Sequence, residues 1–222
     1  MPTTAEPSPL EGVDRKETHG KGFQIYAMSG AGSLIVEFLL TLAKQDYHRR
    51  FPSPEERQTK TFKALSPTGQ IPVLITPEGH HLAESLAITV YLLNRFPATG
   101  MIAPMDTAAH GACLQWLGYL ATTLYPANQR YYQTSSFDGD QEAIRQSGWK
   151  DRRHCYALIA AEGDGFLAGD TISAADLYLY MLLRWDRDLD AVLADHPRLD
   201  QIVRAVDAVP AVQHVLAQQP AK

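Results

Sequence analysis

The sequence predicts an α/β domain followed by an all-helical domain, and three observations carry this prediction. Segments with strand-like and helix-like patterns alternate over residues 22–97, starting with a strand, a glycine-rich loop and an apolar helix, which is how a β-α-β unit begins. Beyond Asp106, helical periodicity alone is found. Proline, glycine and the loss of periodicity over residues 98–106 indicate a linker, so residues 107–222 form the helical domain.

The elements of the first domain follow from hydrophobic periodicity and from turn residues. They are, in order, a strand over residues 22–28, a buried helix over 34–45, a strand over 47–51, a polar helix over 55–64, strands over 70–76 and 81–83, and a buried helix that opens at Glu84 and Ser85.

The second domain is predicted as a series of helices, over residues 107–125, 141–162, 173–187, 199–208 and 210–218. Pro126 is expected to kink or end the first of them, because proline has no N–H to donate. Ser173 and Asp176 have the spacing of a capping box at the start of the third helix.

Composition narrows the function classes. The chain has 20 basic and 25 acidic residues, and this balance favours neither nucleic acid nor an anionic membrane. No apolar run approaches the roughly 18 residues of a membrane span, and the first residues lack the apolar core of a signal peptide. Cys113 and Cys155 make no disulfide framework and fit a reducing cytoplasm. Residues 1–21 are polar with three prolines, which indicates a flexible extension or, alternatively, a lid over a site.

Residues 65–91 carry the features that point to a ligand. Residues 70–72 read Gln-Ile-Pro, and a cis bond before Pro72 would turn the Ile71 backbone N–H and C=O away from the sheet. Glu84 and Ser85 place backbone N–H groups, a hydroxyl and a carboxylate at a helix start. Such N–H groups suit a bound carboxylate, and the Glu84 side chain suits an ammonium group. These features predict a ligand with an amino-acid head and a peptide-like middle.

Residues 66–74, which read Ser-Pro-Thr-Gly-Gln-Ile-Pro-Val-Leu, followed by Glu84 and Ser85, resemble the glutathione-binding half of soluble, bacterial-like glutathione transferases. The family pattern is Asn-Pro-x-Gly-x-(Val/Ile)-Pro-x-Leu, then Glu-Ser, so Ser66 is the one departure. The resemblance covers residues 22–218 and includes the Ser-x-x-Asp cap at Ser173.

This resemblance implies a thioredoxin-like first domain, glutathione as co-substrate, no metal, a small hydrophobic electrophile as second substrate, and a homodimer. The glutathione-binding residues that it implies are Gln58, Gln70, Ile71, Pro72, Glu84 and Ser85. Gln58 stands thirteen residues before Ile71, where the family has His or Gln. Arg57 and Lys60 are alternative candidates for this role. The segment is explained equally well as the solvent-exposed face of a helix.

Glutathione chemistry needs a thiolate, and the group that stabilises it is the point where the sequence departs from the family. The bacterial motif is Ser-Pro-Gly-Ala-Cys-Ser-Leu, and residues 28–34 read Met-Ser-Gly-Ala-Gly-Ser-Leu. When the two are aligned, Gly32 occupies the position of the cysteine. Three hydroxyls remain as catalytic candidates: Ser33, Ser29 and Tyr26. Ser33 has the alternative role of an N-cap for the helix that follows.

A second-substrate pocket is expected between the domains. Its candidate residues are Trp116, Tyr119, Tyr125, Arg130, Tyr131 and Tyr132, with core packing as the alternative for Trp116. Two functions follow. The first is an enzyme of detoxification that uses the glutathione thiolate to attack, isomerise or reduce a small electrophile. The second is a catalytically silent binding or interaction module, because fold alone does not decide function.

Overall fold

The computed structural model describes residues 22–220, and the predicted extension over residues 1–21 lies outside them. Within the described range a four-stranded sheet with three α-helices is followed by seven α-helices. The predicted combination of a thioredoxin-like domain and a helical domain is confirmed.

The first domain is built around the sheet. Its strands are β1 (Phe23–Tyr26), β2 (Tyr47–Arg50), β3 (Val73–Ile75) and β4 (His81–Ala83), and its helices are α1 (Leu34–Leu42), α2 (Lys60–Leu65) and α3 (Ser85–Arg95). The strand order is β2-β1-β3-β4. Strand β1 runs parallel to β2 and antiparallel to β3, and β3 runs antiparallel to β4. The loops at the ends of β1 and before β3 therefore lie side by side.

The second domain is helical. Its helices are α4 (Ala108–Tyr119), α5 (Tyr125–Tyr132), α6 (Gln141–Ala161), α7 (Ala174–Leu183), α8 (Leu189–Asp195), α9 (Pro197–Asp207) and α10 (Pro210–Ala217). The predicted capping box begins α7, with the Ser173 N–H donating to Asp176 Oδ2 at 2.8 Å. Helix α8 was not predicted, and α7 ends at Leu183 instead of continuing to residue 187.

The polar helix predicted over residues 55–64 is broken. A 3-10 turn over Glu56–Gln58 precedes α2, and Thr59 between them is extended, with φ −66° and ψ 152°. The Thr59 hydroxyl accepts a hydrogen bond from the Phe62 N–H at 3.2 Å. Threonine is a preferred N-cap, so it starts a new helix here.

Pro126 was expected to kink or end the first helix of this domain, but the helical run does not end there. A π-helical stretch over Leu120–Leu124 follows α4 directly, and α5 begins at Tyr125. Pro126 is the second residue of α5, and the π-helical stretch before it shifts the backbone hydrogen-bonding register where proline has no N–H to donate. The run continues to Tyr132 and carries Tyr125 and Asn128 into the space between the domains.

Helix α1 joins the two domains. Its residues 34–40 are all buried, and it packs against α3 of its own domain and against α7 and α10 of the helical domain. The Phe38 ring lies 6.3 Å from the Tyr180 ring, centroid to centroid. The larger of two hydrophobic clusters in the described residues therefore runs through both domains.

Glu37 is a buried carboxylate on α1. Arg49 Nη1 lies 3.3 Å from Glu37 Oε2, and Gln219 Nε2 donates to the same oxygen at 3.1 Å. Glu37 Oε1 has no hydrogen-bond partner among residues 22–220. Burial raises the pKa of Glu37 to about 7, against the opposing effects of Arg49 and Gln219.

We expect Glu37 to make stability depend on pH. Because its pKa is raised in the folded state, the folded chain keeps a proton that the unfolded chain releases. The free energy of unfolding should therefore fall as the pH rises from 4.5 to 7, by on the order of 3 kcal/mol. Glu37→Gln should remove this fall and be more stable than the wild type above pH 7. Urea unfolding across this range measures both slopes, and equal slopes would contradict the assignment.

Candidate active site

Two adjoining cavities form a cleft between the domains. The first, which we call the α3 cavity, has a volume of about 940 Å³ and lies against the start of α3. The second, which we call the loop cavity, has a volume of about 650 Å³ and lies against residues 28–31, which follow β1. Gln70, Ile71, Tyr125 and Gln129 line both cavities, so the cleft is continuous.

Five of the six residues predicted to bind glutathione come together at the α3 cavity. They are Gln70, Ile71, Pro72, Glu84 and Ser85. The Ile71–Pro72 peptide bond is cis, as the sequence had suggested. Ile71 stands two residues before β3 and takes no part in its pairing with β1. The strand-entry loop and the start of α3, which are separate in sequence, therefore form one surface.

Glu84 presents its side chain to this cavity from an unusual backbone conformation. Its φ is 70° and its ψ is 115°, and it occupies the cap position of α3 without a side-chain capping bond. A non-glycine residue in such a region costs about 1–3 kcal/mol and persists where the surrounding structure fixes it. Here β4 ends at Ala83 and α3 begins at Ser85. An exposed carboxylate thus stands beside the first N–H groups of a helix, which have no intrahelical acceptor.

Ser85 connects the α3 cavity to the helical domain. Its hydroxyl shares a hydrogen bond of 2.7 Å with the hydroxyl of Tyr178, a buried residue of α7. Burial raises the pKa of Tyr178 above its usual range, so this hydroxyl stays protonated at neutral pH. The bond fixes the first turn of α3 against α7.

The three hydroxyls predicted to contact sulfur lie in different surroundings. Ser33 is fully buried, donates to the Met28 carbonyl oxygen at 3.1 Å, makes no N-cap bond and lines neither cavity. The Tyr26 ring is buried against Phe62 at 5.3 Å between centroids, also away from both cavities. Ser29 lines the loop cavity and donates to the Pro220 carbonyl oxygen at 3.2 Å. Of the three, Ser29 is the one that reaches the cleft.

Gln58 lies outside the cleft. Its side chain is exposed, and it lines neither of the two cavities. Its neighbour Arg57, the alternative candidate for the same binding role, lines the loop cavity. The third possibility, Lys60, is exposed at the start of α2 and lines neither cavity.

The residues predicted for the second-substrate pocket divide into two groups. Tyr125 and Tyr132 line the cleft. The others lie away from it, namely Trp116, Tyr119, Arg130 and Tyr131. Trp116 packs edge-on against Tyr119 in the core at 5.7 Å between centroids. Arg130 pairs with Asp151 at 2.6 Å.

Comparison with known proteins identifies the family. The family model for the glutathione S-transferase N-terminal domain matches residues 22–94, and the one for the C-terminal domain matches residues 153–219. The chain belongs to the glutathione transferase family.

Individual family members resemble this one along both domains. Glutathione S-transferase GstA from Escherichia coli O157:H7 is 24% identical over 161 residues, which cover 72% of this chain and 79% of that protein. Maleylacetoacetate isomerase from Pseudomonas aeruginosa is 28% identical over 172 residues, covering 74% and 80%. A crystal structure of a glutathione transferase homologue from Sulfitobacter, with bound glutathione, matches with a TM-score of 0.79 at 21% identity, covering 90% and 99%.

Among the cleft residues that were not predicted, two have side chains in notable surroundings. Asn128 lines the loop cavity and is 1% exposed, yet its side-chain oxygen and nitrogen have no hydrogen-bond partner in the described part of the chain. Trp185 lines the same cavity and donates from Nε1 to the Gly30 carbonyl oxygen at 2.5 Å. In the sequence, Asn128 follows a proline that is expected to disrupt the helix, and Trp185 lies in a segment predicted to be a buried helix. Neither position therefore indicated a functional site.

Residues 22–220 contain neither a candidate metal site nor a candidate membrane-spanning helix. Over residues 22–220, no group of three or more His, Cys, Asp and Glu side chains could hold a metal ion. No helix there has the length and apolar character that crossing a membrane requires.

We expect Trp185→Phe to loosen the loop that follows β1. The variant keeps an aromatic ring but leaves the Gly30 carbonyl without its donor, which should lower the free energy of unfolding by about 0.5–1.5 kcal/mol. Amide hydrogen exchange in residues 29–34 should become faster. Trp149→Phe, at an exposed position on α6, is the matched control. Unchanged exchange in Trp185→Phe would show that the loop is held by other contacts.

Proposed function

We propose that this protein binds glutathione in the cleft and uses its thiolate to attack or isomerise a small electrophile. The observation that carries the proposal is the convergence of Gln70, Ile71, Pro72, Glu84 and Ser85 on the α3 cavity, in a chain that belongs to the glutathione transferase family. Similar proteins named as glutathione transferases, and one named as an isomerase, support both reaction types.

In the binding mode that we propose, each part of glutathione meets a group of matching chemistry. The Glu84 carboxylate takes the γ-glutamyl ammonium, and the first N–H groups of α3 take the γ-glutamyl carboxylate. The Ile71 backbone pairs with the cysteinyl residue, and Gln70 flanks it. For the glycine carboxylate we favour Arg57 over Gln58, because Arg57 is the one of the two that lines the cleft.

The second substrate is proposed to enter the loop cavity. Arg57, Arg184 and Arg187 line this cavity together with the unpaired amide of Asn128. Such a lining stabilises a polar or anionic group, because guanidinium groups form charge-assisted hydrogen bonds with anions and a buried amide needs hydrogen-bond partners. We therefore propose an electrophile with a polar or anionic substituent, which revises the hydrophobic electrophile expected from the resemblance. Rings of Tyr132 and Trp185 supply apolar surface for the remainder of the molecule.

The assembly and location of the enzyme are also proposed. We expect a homodimer in which the N-terminal domain of one subunit contacts the C-terminal domain of the other. Phe51, after β2, is 47% exposed and Leu114, on α4, is 39% exposed, so each domain offers an apolar side chain for such a contact. The free, buried Cys113 and Cys155 support a reducing compartment. We place the protein in the cytoplasm, with a role in detoxification.

Glu84→Gln tests the binding mode. The variant keeps the shape of the side chain and removes its charge, so glutathione binding should weaken by about 1–3 kcal/mol. Calorimetry with the folded variant measures the change. Glu142→Gln, at an exposed position in the first turn of α6, is the matched control and should bind as the wild type does.

The outcomes separate the possible functions. Unchanged affinity in Glu84→Gln would place the γ-glutamyl group elsewhere. A wild type that binds glutathione but shows no turnover with an aryl halide would favour the catalytically silent binding module.

A separate measurement tests the dimer. Light scattering at about micromolar concentration should give twice the mass of the chain, and Phe51→Asp should shift the protein toward the monomer, because a charge would be buried at the contact. Met105→Asp, at another exposed apolar residue, is the control and should leave the mass unchanged. A monomer mass for the wild type would refute the proposed assembly.

A further inference from the structure

We propose that the hydroxyl of Tyr125 donates a hydrogen bond to the sulfur of bound glutathione, so that a residue of the helical domain stabilises the thiolate. This inference rests on the proposed function and assigns a catalytic residue to it. It differs from all three hydroxyls that the sequence suggested, which lie in the first domain.

The first observation is the position of Tyr125 over Gly32. An ideal Cβ built on Gly32 would lie 2.9 Å from the Tyr125 hydroxyl oxygen and 3.3 Å from Cε2 of its ring. The hydroxyl therefore occupies the space that any side chain at residue 32 would enter. Tyr125 also lines both cavities beside Ile71, so the residue stands where the two cavities adjoin, and its hydroxyl faces Gly32 of the loop before α1.

The second observation is that this hydroxyl is available. It makes no hydrogen bond to any of residues 22–220, whereas the neighbouring hydroxyls are engaged. Ser29 donates to Pro220, and Ser85 bonds to Tyr178. A donor without a partner at the wall of a cavity is suited to a ligand that accepts a hydrogen bond.

The third observation is that the ring is held in place. The Tyr125 and Trp185 rings meet edge-to-face with centroids 4.9 Å apart, and Trp185 is itself bonded to the Gly30 carbonyl oxygen. The hydroxyl is thus fixed relative to the loop that follows β1. Donors that are fixed before the reaction stabilise developing charge without a cost of reorganisation.

Electrostatics keep the hydroxyl protonated. Burial, with a smaller contribution from the negative charge of Glu84, raises the pKa of Tyr125 to about 12. The group is therefore a neutral donor at neutral pH. A hydrogen bond given to a thiolate favours the charged form and lowers the pKa of the thiol. The titratable or charged side chains that share the two cavities with Tyr125 are Glu84, Tyr91, Tyr178, Arg57, Tyr132, Arg184, Asp186 and Arg187.

In the step that we infer, Tyr125 keeps its own proton throughout. The thiol proton of glutathione leaves to solvent, and the sulfur retains the electron pair while it accepts the Tyr125 O–H. With an aryl halide as electrophile, the sulfur–carbon bond forms, the carbon–halogen bond breaks, and the halide leaves with the bonding electrons.

Tyr125→Phe tests the assignment, since it keeps the ring and its contact with Trp185 and removes the hydroxyl. We expect the pKa of the bound thiol, read from thiolate absorbance against pH, to rise by about one to two units. Turnover of an aryl halide at neutral pH should fall about tenfold for each unit, with little change in glutathione affinity. Tyr47→Phe, on β2 with its hydroxyl near Thr41, is the matched control.

A second variant tests the geometry independently. Gly32→Ala places a methyl group against the Tyr125 hydroxyl and should raise the same thiol pKa. The double variant with Gly32→Ala and Tyr125→Phe should have the same thiol pKa as Tyr125→Phe alone. The hydroxyl that the added methyl group would displace is already absent there.

The results distinguish this inference from the proposed function. A wild type that fails to bind glutathione contradicts the proposed function itself. A wild type that binds glutathione and forms the thiolate, with the same titration in Tyr125→Phe, overturns the role of Tyr125 alone. A raised thiol pKa with retained binding supports both.

Discussion

The packing of α1 against the helical domain is the interaction on which the cleft depends. Residues 34–40 are buried on every face, toward the sheet domain and toward α7 and α10. A helix without a polar face has no stable place on the surface of either domain, so the two domains must close around it. The loop that precedes α1 is thereby brought against α5 and Trp185. The cleft is the space left between this loop, the start of α3 and α5.

This close approach explains the residue types at the contact. With Gly32 facing the Tyr125 hydroxyl, a larger residue would push α5 away from the loop. The Trp185 bond to the Gly30 carbonyl ties the same loop to the segment after α7. Two local features that are unfavourable on their own line the same cleft: the positive φ of Glu84 and the unpaired side chain of Asn128. In a fold whose remaining elements agree with their sequences, such features mark places selected for something other than stability.

The sequence predicted the parts of the structure that depend on local patterns. The apolar periodicity of α1, α3 and α7 and the turn before β3 were sufficient for the two-domain architecture. The run over residues 66–74 with Glu84 and Ser85 was sufficient to predict one wall of the cleft, because a short loop and a helix start hold those residues together. Ser33 illustrates the limit: spacing placed a hydroxyl before α1, but its direction, toward the Met28 carbonyl, follows from the fold of the loop.

The other wall of the cleft could not be predicted because tertiary packing sets it. The π-helical stretch over Leu120–Leu124 changes the face of the helix on which Tyr125 and Asn128 lie. Hydrophobic periodicity in the sequence does not indicate such a stretch. The sequence showed that residue 32 lacks a side chain, but not which residue fills the space, since Tyr125 is far along the chain. A thiol contact supplied from α5 makes the chemistry depend on domain packing. A hydroxyl on the loop itself would keep its position if the domains shifted, whereas the Tyr125 hydroxyl keeps its place only while α1 stays buried between them.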